Sequence, residues 1–197
     1  MSNVPLIFQP LVKYVDFQGR ARRSEFWLWV LLRIIVGAVL GTISISVLMN
    51  GMNFQNPDPS QIMGRYFSVM PIMQLVNLGL LLPTIAVAVR RLHDTNRSGW
   101  WVVMPIVVAI AGVILFFIFA GTQLFSAMSA GGTMTDEQGM KFAFGMFGSL
   151  FLFIFLPILI AEIVMLVFYV SDGTPTANRF GADPKGRGVI DTPEVMF

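Results

Sequence analysis

The sequence predicts an all-α membrane protein of four transmembrane helices, paired as two hairpins, with both termini on the cytoplasmic side. Three observations predict it. Hydrophobic residues make up 55% of the 197-residue chain and charged residues only 12%, with a mean hydropathy of +0.73, outside the range of soluble globular domains. Four apolar runs are each long enough to cross a hydrocarbon core of roughly 30 Å, which takes about 20 helical residues. Lysine and arginine fall almost entirely on one side of those runs. The runs are continuously apolar, whereas barrel strands would alternate over about ten residues, so the spans are helices and residues 1–197 form a single membrane domain.

Helix 1 is expected near Phe26 to Met49. Its apolar stretch exceeds the ordinary core of a signal peptide and no A-x-A site follows, so it reads as a retained anchor. Helix 2 is expected near Tyr66 to Val89, helix 3 near Trp100 to Ala120 and helix 4 near Phe142 to Val170. Ser24 and Ser98 are placed to cap helices 1 and 3, with the following Phe and Trp rings at headgroup level. Pro83 and Pro157 each remove a backbone donor within a span, which predicts a kink or an opened turn at both. The two serine sites are 74 residues apart, as are Leu82-Pro83 and Leu156-Pro157. Two coincidences at one offset predict that the hairpins are tandem copies of one orientation.

Lys13, Arg20, Arg22, Arg23, Arg90, Arg91, Arg97, Arg179, Lys185 and Arg187 lie on one side, Arg65 and Lys141 on the other, and Arg33 within helix 1. Positive-inside bias then gives an N-in, C-in topology, with the loops near residues 50–65 and 121–141 outside. No cysteine is present and histidine occurs once, which excludes disulfides, thiolate metal sites and His-rich zinc sites. Met128, Met134, Met140 and Met146 recur every six residues; flexible apolar filler accounts for them better than a soft-metal site. No metal and no cofactor is expected.

Arg33 and Glu162 are ionisable residues within the spans, where charge requires a partner or a wet cavity. Counted from the same end, each lies roughly 13 Å deep at 1.5 Å per residue, which makes them a candidate pair. Arg33, Gly37, Gly41 and Ser44 line one stripe of helix 1, small enough for a close helix contact, with Gln74 and Asn77 of helix 2 nearby.

Three polar stretches converge on the basic side by parity: "FQGRARRSEFWLW" at 17–29, "RRLHDTNRSGWW" at 90–101 and "NRFGADP" at 178–184. In these motifs, which come in order along the chain, the sequence resembles the bacterial inner-membrane proteins grouped as domain of unknown function 805. The resemblance implies a small multi-spanning protein of the bacterial inner membrane and no assigned reaction. Asn96 stands where that family's pattern often has glycine.

Arg20, Arg23, Glu25, Arg90, Arg91, His93, Asp94, Arg97, Asn178, Arg179 and Asp183 form the candidate polar cluster. One reading ties Asp94 and Asp183 to arginines of the other motifs, fastening the tails to the middle loop. A second has the basic face meeting anionic lipid headgroups, at about 1 kcal/mol per cation. An enzyme would use His93 and Asp94 as acid and base, but no nucleophile motif or phosphate-binding glycine loop accompanies them. Transport through the Arg33/Glu162 pair is the third class. The favoured expectation is a non-enzymatic structural or interaction module, with membrane lipids, a protein partner or a second copy as partners and no nucleic acid.

Overall fold

The structure, a computed structural model, describes residues 4–50, 58–129 and 135–187, the side chain of Pro59 excepted. A 3-10 turn at Leu6–Phe8 leads into α1 (Gln9–Val12), followed by α2 (Arg23–Met49) and α3 (Pro59–Asp94). A second 3-10 turn, Gly99–Val103, opens α4 (Met104–Ser129); α5 (Asp136–Leu150) continues through a π-helical turn at Phe151–Phe155 into α6 (Leu156–Val170). Among the described residues no β-strand forms, and Asn178 and Gly181 make an isolated bridge. Among the described residues four helical stretches are long and apolar enough to span a membrane: Arg23–Met49, Ser60–Asp94, Gly99–Ser129 and Asp136–Val170.

The helices outrun the apolar stretches that mark them. α3 begins before Tyr66 and ends after Val89, because Asp58 caps its start by accepting from the Ser60 N–H and Arg91 and His93 lie in its last turn, where cations suit the helix dipole. α5 starts earlier than Phe142 because Thr135 and Gln138 form a reciprocal capping box. Ser24 does not cap α2; Arg22 holds that position with no side-chain bond. The start of α2 is secured instead by the Ala21 N–H, which donates to the Arg90 carbonyl at 3.0 Å. Ser98 precedes a 3-10 turn, and α-helix begins only at Met104.

The chain divides into two compact units, Met1–Gly99 with Asp172–Phe197, and Trp100–Ser171. Each holds one hairpin of the expected repeat. The paired prolines differ in local structure: α3 stays α-helical through Pro71 and Pro83, whereas Pro157 follows the π-helical turn. Of the kink or opened turn expected at each proline, an opened turn is found next to Pro157.

In the first unit, α2 packs along α3. Trp29 Nε1 donates to Thr84 Oγ1 at 3.0 Å, and the buried Ser44 hydroxyl lies 2.7 Å from its own Leu40 carbonyl and 3.1 Å from Met73 Sδ. The Gly37/Gly41 stripe is not a close approach within this unit, since a methyl added at either glycine meets nothing within 4 Å. Exposure changes sharply along both helices. From Ser60 to Leu82 no described side chain is buried, whereas eight of the twelve residues from Pro83 to Asp94 are. On α2 the buried residues are Glu25, Phe26, Trp29 and, farther along, Ser44.

In the second unit the tight contact lies between α4 and the π-helical turn. Pro157 has no N–H, so it cannot make the ordinary helical bond to the Phe153 carbonyl. That carbonyl faces Gly112 so closely that a Cβ there would stand 2.1 Å from the oxygen. Trp101 meets Phe168 edge to face, with centroids 5.2 Å apart. Of the periodic methionines, Met128 and Met140 are exposed, Met146 is half-buried, and Met134 lies outside the described residues. Among the described residues no group of three or more His, Cys, Asp or Glu side chains is placed to hold a metal.

Candidate functional site

The first unit ends in a clasp made by three segments: residues 17–25, the last turn of α3, and a strap at 172–187. α3 closes on Asn96, whose φ of 59° puts it in the left-handed region that asparagine tolerates better than most residues. The Arg97 N–H then donates back to the Leu92 carbonyl at 3.0 Å. This turn leaves Arg90, Arg91 and Asp94 buried on the inner face of the helix end.

Asp94 is the centre. Its Oδ1 accepts from Arg20 Nε at 2.9 Å and lies 2.8 Å from Arg20 Nη2, a two-pronged contact of the strong kind. Its Oδ2 accepts from Arg91 Nη1 at 2.5 Å. Its backbone carbonyl accepts from the Thr174 N–H at 3.0 Å. Arg20 also reaches the strap, donating to the Thr174 carbonyl at 2.6 Å and the Thr176 carbonyl at 2.8 Å, and its Nη2 stands 3.7 Å from Asp183 Oδ1. Gly173 is buried against the Asp94 carboxylate; a Cβ there would sit 2.0 Å from Oδ2.

A second pair lies beside the first. Arg90 Nη1 stands 3.1 Å from Glu25 Oε1, with both side chains at most 4% exposed. The two atoms lack hydrogen-bond alignment, so this contact acts as charge pairing. Arg20, Arg90 and Arg91 thus face Glu25, Asp94 and Asp183, and all six side chains are 4% exposed or less. These six buried groups form the core of the cluster, and the part-exposed Arg187 joins it at Asp183. Arg23 sits at the rim, 2.7 Å from the exposed Asp172.

His93 does not work with Asp94. Its ring stacks on Phe180, with centroids 3.8 Å apart and planes at 4°, and Nδ1 lies 3.2 Å from the Gly19 carbonyl. A carbonyl only accepts, so Nδ1 carries a proton there. Asn178 Nδ2 donates to the His93 carbonyl and to Thr174 Oγ1, both at 3.0 Å. Arg179 lies over the Phe180 ring at 4.6 Å and reaches the Asn96 carbonyl at 3.4 Å. Within the strap, Arg187 Nε donates to Asp183 Oδ2 at 2.9 Å. That bond first, with backbone N–H groups of Lys185 and Arg187, holds the Asp183 carboxyl well below the usual carboxylate range.

A family model described as a protein of unknown function (DUF805) matches residues 14–126. The chain belongs to this family. It is similar to the inner membrane protein YhaI of Escherichia coli strain K12, 30% identical over 89% of this chain and 91% of that protein. It is similar also to the inner membrane protein YhaH of the same strain, 29% identical over 89% of this chain and 92% of that one. No solved structure matches significantly. The family match begins at Tyr14 and takes in Arg20, Glu25 and the whole α3 end.

The structure brings together Arg20, Glu25, Arg90, Arg91, Asp94 and Asp183 as ion partners, with His93, Asn178 and Arg179 joining through stacking and backbone bonds. Arg33 belongs to the first unit and Glu162 to the second, so that expected pair is a statement about how the units meet. Sequence reasoning missed Gly19, Gly173 and Thr176, which leave no side-chain signal, and Thr174, which acts through both its backbone and its hydroxyl. Phe180 lies inside the third motif, yet residue type alone does not tie it to His93.

Proposed function

We propose that this is a non-catalytic structural and interaction protein of the bacterial inner membrane, N-in and C-in, whose clasp fastens both tails beneath the first hairpin. The observation that carries it is the buried set of ion pairs around Asp94. Both carboxylate oxygens of Asp94 hold arginines and the His93 ring is packed on Phe180, which supports a structural role for both residues. The relatives are named as inner membrane proteins, and ten of the thirteen lysines and arginines fall on the side that positive-inside bias assigns to the cytoplasm.

Burial of Arg20, Arg90 and Arg91 moves the lipid-facing role to other cations. Arg22, Arg179, Lys185 and Arg187 are exposed or half-exposed, and these are the groups that meet anionic headgroups. After gentle solubilisation, the protein is expected to carry anionic phospholipid, and the triple variant Arg22→Gln/Arg179→Gln/Lys185→Gln to lose most of it. Equal lipid on both proteins, or a co-purifying protein in its place, would turn the reading toward a protein partner or a second copy. A transport reading draws instead on Arg33 and Glu162; within its own unit Glu162 is exposed on an apolar span.

Orientation is checked directly, because the chain has no cysteine. A membrane-impermeant maleimide is expected to label Lys141→Cys in cells with a permeable outer membrane, and Lys185→Cys only after the inner membrane is opened. Labelling in the reverse order would invert the topology.

A further inference from the structure

We infer that residues 5–17 are a membrane-inserted foot, lying in the headgroup and acyl boundary beside α2 and α3 with its apolar side chains against lipid. The 3-10 turn at Leu6–Phe8 packs on α2 and α1 packs on α3, with Pro10 buried. The other side of the segment is open: Phe8, Leu11, Val12, Val15 and Phe17 are exposed, Val12 at 63% and Val15 at 62%. In water this would be a costly apolar patch on a short segment.

Its depth is set by two independent marks. Tyr14 donates its hydroxyl to the Gly79 carbonyl, and Gly79 lies amid the exposed leucines Leu75, Leu78, Leu81 and Leu82. The change in exposure on α3 falls at Pro83, and on α2 just past Trp29, whose indole is bonded to Thr84. From Val30 to Met49 α2 is about 30 Å long at 1.5 Å per residue, the thickness of the hydrocarbon core. The whole of α3 would be about 54 Å by the same rise, so its buried end projects beyond the bilayer and the clasp is an extramembrane body. Gly79 is about 6 Å inside the Pro83 level, within the range at which interfacial segments insert. The exposed face of the foot therefore continues the lipid-facing belts of α2 and α3, and its occupant is lipid. On this boundary Arg33 lies about 6 Å past Trp29, rather than 13 Å deep, and reaches the headgroups by extending its side chain.

The inference does not depend on which side of the membrane the clasp faces, so it stands or falls separately from the N-in, C-in topology. Single cysteines replacing Val12, Val15, Leu75 and Lys185 are spin-labelled in the cysteine-free chain, in vesicles of phosphatidylcholine and in vesicles mixed with phosphatidylglycerol. Labels at Val12 and Val15 are expected to collide with oxygen several-fold more, relative to a water-soluble nickel chelate, than the label at Lys185, approaching Leu75 in both vesicle types. Ratios matching Lys185 would overturn the inference. A high ratio seen only with phosphatidylglycerol would also overturn it, because charge rather than apolar insertion would then hold the segment.

Discussion

Replacing Asp94 by alanine is expected to release the strap and open residues 172–187 to protease. The change leaves the guanidinium groups of Arg20 and Arg91, each 1% exposed or less, without their shared carboxylate, and removing one partner of a buried pair costs about 3–5 kcal/mol. Where opening and reclosing are fast, cleavage follows the open population. At about 1.4 kcal/mol per factor of ten, tryptic cleavage at Arg179, Lys185 and Arg187 should speed up roughly a hundredfold to a few thousandfold in detergent micelles. Asp94→Asn keeps the shape and one acceptor and should fall between. Arg20→Ala should resemble Asp94→Ala, and the double variant should be much less than additive, because the two side chains share one interaction. Unchanged cleavage in Asp94→Ala would sink the clasp reading, since Asp94 is the carboxylate that both arginines hold.

The sequence made half of this clasp legible. Parity of the spans puts the three polar stretches on one side, and Asp94 and Asp183 stand out as the acids available to arginines of other segments. What stays hidden is the burial. Ala86, Val87 and Ala88 continue the apolar run of helix 2 without a break, and an apolar run reads alike whether lipid or protein covers it. The end of α3 wrapped by the tails therefore reads as more membrane, and Arg90 and Arg91 read as surface charges. The same ambiguity bears on Arg33, because depth counted from the start of the helix includes the part that the clasp covers. Contacts made through backbone carbonyls, such as Gly19 to His93 and Thr174 to Arg20, follow from chain path and have no residue-type signature. The glycines show the same limit from the other direction. Gly37 and Gly41 have the spacing of a close helix contact and make none within their unit, while Gly112 has no such spacing and sits against backbone.

Gly112→Ala is the substitution expected to disturb the second unit most. An added Cβ would meet the Phe153 carbonyl oxygen at 2.1 Å and its carbon at 3.1 Å. These are main-chain atoms fixed within a π-helical turn, so they cannot swing aside as a long side chain would. The helices must separate or the turn must rearrange, and overpacking of this kind costs about 1–3 kcal/mol, occasionally more. Propensity acts in the opposite sense, because alanine is better than glycine inside a helix by about 1 kcal/mol. A net loss of stability therefore identifies the steric contact itself. Gly121→Ala supplies the comparison on the same helix: its Cβ meets nothing within 4 Å, so propensity alone should leave it unchanged or slightly stabilised. Thermal unfolding in detergent, followed by tryptophan fluorescence, should show Gly112→Ala melting below the parent and Gly121→Ala at or above it. Pro157→Ala should partly rescue Gly112→Ala, because a restored N–H lets the ordinary helical bond to Phe153 form and draws that carbonyl back along its own axis. If Gly112→Ala melts with Gly121→Ala, the contact between α4 and the turn is looser than a glycine requires, and the proline has no part in holding the two helices together.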